Sequence, residues 1–165
     1  MNCYLYKLPS GDTTLHLLSP LGKEELAKLK SKSELFLGRL IDPEKEIGPD
    51  NISYNADFLV VLHQVVRGLM VSDPDVLSQA ESQPNGFVFI VDRRSPSAYA
   101  ENASADREGE EVEKEDVIGI FLVNENKTDV SKYRPNPDYK LISKRGVGQF
   151  PDEVEMELMK VLMEL

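Results

Sequence analysis

Two stretches decide how this chain folds: Phe-Val-Phe-Ile-Val at Phe87–Val91 and Val-Ile-Gly-Ile-Phe-Leu-Val at Val117–Val123. Both are short apolar runs rich in β-branched and aromatic residues, the composition of a strand buried on at least one face. The connection between them is unusual. Links in compact domains run to about 4–6 residues, and a link beyond about 15 is functional or unstructured. Ser95–Asp116 exceeds that length. It carries Glu101, Asp106, Glu108, Glu110, Glu111, Glu113, Glu115 and Asp116 against only Arg107 and Lys114. Eight acids and two bases give this insertion −6 of the chain's net −10. It reads as a flexible acidic insertion, 95–116, between two strands.

Working toward the N-terminus, Pro84-Asn85-Gly86 is a turn that launches the first apolar strand. Before it, Asp57–Met70 is the clearest helix in the chain. Phe58, Val61, Leu62, Val65 and Leu69 recur at helical spacing, with Leu59, Val66 and Met70 widening the apolar face. Ser72-Asp73-Pro74 ends that helix and caps a short one through Ala80. Asp42–Asn55, with Pro43, Gly48, Pro49 and Asp50, reads as a loop. Lys23–Lys32 and Ser33–Leu40 read as two short helical pieces. Asn2–Leu8 and Thr13–Leu18, joined by Pro9-Ser10-Gly11-Asp12, form an opening hairpin.

Toward the C-terminus, Val117–Asn124 is followed by a polar link around Arg134-Pro135-Asn136-Pro137-Asp138 and by a strand at Tyr139–Lys144. Lys144-Arg145-Gly146-Val147-Gly148 reads as a turn that hands the chain to a final helix. That helix starts at Phe150-Pro151-Asp152-Glu153, with acids in its first turn and Val154, Leu158, Val161, Leu162 and Leu165 as its buried stripe. Strands and helices are segregated along the chain, not alternating. The expected fold is a single α+β domain over 1–165, with a mostly antiparallel sheet of about five strands: an N-terminal hairpin and a C-terminal three-strand meander, packed on a central helix and a C-terminal helix.

Composition narrows the function classes. With 165 residues and 41% hydrophobic content the chain can bury one ordinary core. No run approaches the roughly 20 apolar residues of a membrane span, and no secretory leader can be built from Met1–Leu8 before Pro9. A cytoplasmic protein is expected, with no membrane partner. The single cysteine, Cys3, fits a reducing compartment. A net charge of −10 opposes a phosphate backbone, so no nucleic-acid partner is expected. With two distant histidines and one thiol, no metal or cofactor site is expected either. The Walker, G-x-S-x-G, H-E-x-x-H and C-x-x-C templates are absent from the sequence, which weighs against an enzyme.

The remaining signal is charge. Lys127, Lys132, Arg134, Lys140, Lys144 and Arg145 against Asp129 and Asp138 give Lys127–Arg145 a net +4, directly after the −6 insertion. The insertion can fold over this basic stretch as an internal pseudo-ligand or engage a basic partner. The second option makes the protein a non-enzymatic acidic binding protein that docks or neutralises a basic protein, in the manner of an inhibitor or immunity protein. Its partner-binding candidates are Glu108, Glu110, Glu111, Glu113, Glu115 and Asp116, with Asp92 at the adjoining strand end. Two alternatives remain. One is a small enzyme or ligand-binding domain with a pocket around His63, Tyr54, Asp57 and Arg67. The other is a self-associating subunit that uses Met156, Met159 and Met163 on the last helix.

Overall fold

The computed structural model describes residues 1–30, 32–96 and 112–165. It is an α+β protein with antiparallel sheets, as the segregated order of elements implies. Its contacts gather into two compact units, Met1–Val65 with Asp152–Leu165 in one and Val66–Pro151 in the other.

In the first unit β1 (Tyr4–Ser10) and β2 (Thr13–Ser19) pair through the two-residue turn Gly11-Asp12, with Gly11 at φ +60°. β1 runs through Pro9, which lies within the expected turn. An edge strand tolerates a proline because one of its sides needs no ladder donor, and β1 is the edge of its sheet. Of the expected helix Lys23–Lys32 only α1 (Lys23–Leu26) forms. It has no buried residue, so nothing offsets the cost of nucleating a longer helix.

The second expected helix, Ser33–Leu40, is replaced by one 3-10 turn at Ser33–Leu35 and by β3 (Gly38–Leu40). β4 (Ile52–Tyr54) lies inside the expected loop and completes a four-stranded sheet in the order β1-β2-β3-β4. Gly38 is why this sheet closes: a Cβ there would stand 2.6 Å from the Ser53 carbonyl oxygen. The turn between β3 and β4 is built on the Asn51 amide. Its nitrogen donates to the carbonyls of Asp42 (2.9 Å) and Glu46 (3.0 Å), and its oxygen accepts from the Asp42 N–H (2.8 Å).

α2 (Ala56–Met70) matches the expected helix and buries Phe58, Val61, Leu62, Val65 and Val66, whereas Leu69 is exposed. α4 (Asp152–Glu164) buries Val154, Leu158 and Leu162 at four-residue spacing, and each fully buried side chain of this kind is worth about 1.5–3 kcal/mol. The Met1 amine donates to Glu155 Oε1 at 2.6 Å, tying the start of the chain to α4.

Cys3 precedes β1 and is half-buried. Burial pushes its thiol up to about 11. At pH 8 the thiolate fraction is therefore about 0.1%. Alkylation by a maleimide is expected to be at least about tenfold slower than for a free cysteine, and to reach the free rate in denaturant. A rate equal to the free thiol in the folded protein would contradict this burial.

In the second unit Asp73 caps α3 (Pro74–Glu81) by accepting the N–H groups of Asp75 (2.9 Å) and Val76 (3.2 Å). The two quoted stretches form β5 (Asn85–Val91) and β6 (Val117–Asn124), paired from Asn85↔Asn124 to Val91↔Val117. Val88 and Ile90 are buried, and Phe87 and Phe89 on the opposite face are each 54% exposed. The third meander strand is not Tyr139–Lys144 but β7 (Tyr133–Pro135). Pro135 conceals it in the sequence, yet β7 is an edge strand, where proline is tolerated. Gly119 of β6 leaves room for the Tyr133 ring, which lies 5.2 Å from that of Phe121. Ile142–Ser143 (β8) and Gly146–Val147 (β9) form a small hairpin turned by Lys144-Arg145, with Gly146 at φ +96°. Among the described residues no helix is long and apolar enough to cross a membrane.

Candidate functional site

The second unit collects charge where the two decisive strands meet. β5 ends at Val91 and Asp92 follows; Asp116 immediately precedes β6. The Asp92 N–H donates to the Asp116 carbonyl at 2.8 Å, so the antiparallel pairing brings the two carboxylates to the same end of the ladder. Both residues are fully buried. A lone carboxylate in such a position carries a prohibitive desolvation cost, and two guanidinium groups answer it.

Arg94, whose side chain is only 2% exposed, runs between them. Its Nε donates to Asp116 Oδ1 at 3.1 Å and stands 3.6 Å from Asp92 Oδ2. Nη1 donates to the carbonyls of Leu141 (3.0 Å) and Gly146 (2.9 Å), and Nη2 to those of Glu115 (3.3 Å) and Lys140. All five N–H donors of the guanidinium are thus engaged, and its plane sits 5.6 Å over the Tyr139 ring. Asp92 accepts the N–H groups of Arg94 (3.0 Å) and Gln149 (2.9 Å) on Oδ1 and the Tyr139 hydroxyl (2.7 Å) on Oδ2. Arg145 closes the cluster from the solvent side, with Nη1 on Asp116 Oδ2 and Nη2 at 3.2 Å from Glu113 Oε1. Two buried carboxylates thus meet one buried guanidinium and one at the surface, which together balance their charge. Lys140 Nζ, at 3.8 Å from Glu115 Oε2, adds a partly exposed pair that contributes little.

This arrangement brings together Asp92, Glu113, Glu115 and Asp116, four of the seven acids expected to bind a partner. It also joins them to Arg94, Lys140 and Arg145 of the same chain. Asp92 and Asp116 have no exposed surface and every carboxylate oxygen is occupied, so they act as a staple between β5, β6 and the 140–149 segment. Glu113 and Glu115 pair with Arg145 and Lys140 of the basic stretch. Glu108, Glu110 and Glu111 lie outside the described residues. Arg94 and Tyr139, which hold the cluster together, are not singled out by sequence reasoning. The available signal was the placement of one acid just after β5 and one just before β6, since antiparallel pairing had to bring them together.

The second candidate set lies along α2 and the strand that precedes it. His63 is half-buried on α2, and burial holds its imidazole below its ordinary value of 6.5. Asp57, in the first turn of α2, is exposed and accepts a hydrogen bond from Ser33 Oγ at 2.7 Å. Tyr54 is half-buried in β4, and Arg67 is exposed on α2, one turn beyond His63. Because the folded protein binds a proton at His63 less readily than the unfolded chain, stability is complete above the ordinary histidine value. It declines as the pH falls from about 6.5 toward the lowered value. Unfolding midpoints in urea between pH 7.5 and 5 are expected to drop more steeply for the natural protein than for His63→Gln; equal slopes would show that His63 titrates normally. Among the described residues no group of three or more His, Cys, Asp or Glu is placed to hold a metal ion.

Comparison of the chain with protein-family models, with curated proteins and with solved structures finds no match.

Proposed function

We propose that the protein is a non-enzymatic acidic binding module that docks a basic protein partner, with an inhibitor- or immunity-type role as its concrete form. The observation that supports this reading is where the acidic charge remains after internal pairing. Among the described residues of the second unit, ten acids meet ten bases, and the most buried of them neutralise one another. The acidic excess of the described chain therefore falls on the first unit, with fourteen acids against eight bases. α4 alone has five acids and one base, Lys160. Exposed like charge concentrated on one helix steers an oppositely charged partner and accelerates encounter, with an effect that fades as salt rises. Glu108, Glu110 and Glu111 would add to that field.

The test is affinity capture at low and at high salt with the natural protein, with a variant lacking Ala98–Lys114, and with Glu153→Lys/Glu157→Lys/Glu164→Lys. A basic protein retained at low salt by the first two and lost by the third places the docking surface on α4. Retention by all three at either salt concentration would overturn the electrostatic reading.

A further inference from the structure

α4 has a second face besides its buried stripe. Met156 is 66% exposed and Met163 46%, with Met159 half-buried between them. Large apolar side chains aligned in the open are the informative exception on a protein surface, where isolated ones are normal. The steps of three and four residues are those of a helix-packing seam. With a rise of about 1.5 Å per residue, Met156 and Met163 stand about 10.5 Å apart along the axis. A facing helix presents like positions at that interval, whereas same-face residues of an extended strand recur about every 6.7 Å. Glu153, Glu157 and Glu164 run beside the methionines, and the one base there, Lys160, is turned to Glu157 at 3.3 Å. Glu155 is held by the Met1 amine.

We propose that this face receives a basic amphipathic helix of the partner: apolar residues at i, i+3 and i+7 lie on Met156, Met159 and Met163, and lysines or arginines lie against Glu153, Glu157 and Glu164. This rests on the basic-partner reading and specifies the segment that docks. Charge selects the occupant. Pairing two copies of α4 along the seam sets acid against acid, which costs affinity, while a basic helix gains on both counts. Methionine suits the task because its unbranched thioether adapts to partner side chains of different shape.

The test is fluorescence anisotropy of the full chain with three labelled lysine/leucine peptides of about 18 residues, long enough to form a helix on binding. One has leucines at i, i+3 and i+7; the second is a scramble of the same composition; the third keeps the pattern but carries two central prolines. The first is expected to bind at least about tenfold more tightly than the others, a difference of about 1.4 kcal/mol. Met156→Gln/Met163→Gln is expected to remove that preference without changing the circular dichroism spectrum or the melting temperature, since both side chains are exposed. Equal binding of all three peptides would overturn the helical seam and leave the basic-partner reading intact. Binding by none of them would overturn that reading as well. Unchanged preference in the methionine variant would remove α4 as the site.

Discussion

Replacing Arg94 with methionine is expected to destabilise the protein by about 3–5 kcal/mol, the cost of removing one partner from a buried ion pair. The size follows from what is left behind. Methionine fills much of the space but leaves Asp116 with Arg145 alone and Asp92 without its neighbouring cation. The carbonyls of Leu141 and Lys140 also lose a donor. The Leu141 carbonyl keeps the Gly148 N–H at 2.7 Å, whereas the Lys140 carbonyl is left short of a donor, at a cost of about 1–3 kcal/mol for a buried polar group. Arg94→Lys keeps the charge but offers three donors in place of a planar fork of five, and is expected to lose about half as much. Urea denaturation of the two variants measures both. A loss under about 1 kcal/mol for Arg94→Met would show that solvent reaches the cluster.

Gly148→Ala is expected to destabilise by about 1–3 kcal/mol through overpacking. A Cβ at this position would stand 2.6 Å from the Tyr139 hydroxyl, 3.0 Å from Asp92 Oδ2 and 3.0 Å from Leu141 Cδ1. The hydroxyl must then leave Asp92, which loses the acceptor role it plays at 2.7 Å. Tyr139→Phe alone removes that hydrogen bond and costs about 0.5–1.5 kcal/mol. In the double variant the added methyl group has the vacated hydroxyl space. The combined loss is expected to be smaller than the sum of the single losses by at least about 0.5 kcal/mol. Strict additivity in this double-mutant cycle would mean that the two groups do not compete for the same volume.

How much of this was legible in the sequence depended on the range of the interactions. α2 and α4 announce themselves because their apolar residues recur at helical spacing and their caps are local. β5 and β6 do so because uninterrupted apolar runs of that length have few other uses. β3, β4 and β7 did not, since each is a three-residue strand whose existence depends on a distant neighbour: Gly38 facing Tyr54, Ile52 facing Leu40, Tyr133 facing Phe121. Pro9 and Pro135 misled for one shared reason: a proline reads as a breaker until the strand is known to be an edge. The acids near β6 were visible as charge, but their pairing was not. Whether Asp116 meets solvent or Arg94 is set by a contact across 22 positions, and the opposite charges of 95–116 and 127–145 allowed either outcome.

The closure between Asp92 and Asp116 also makes this end of the β5–β6 ladder a port. Because backbone and guanidinium contacts hold the two strand ends together, the register at this end of the sheet does not depend on the length of the chain that joins them. Lengthening such a span costs only about 0.6 kcal/mol per doubling. An epitope, a reporter or a small domain with adjacent termini inserted between these two ends is expected to leave the sheet in its frame, with the circular dichroism of the host unchanged.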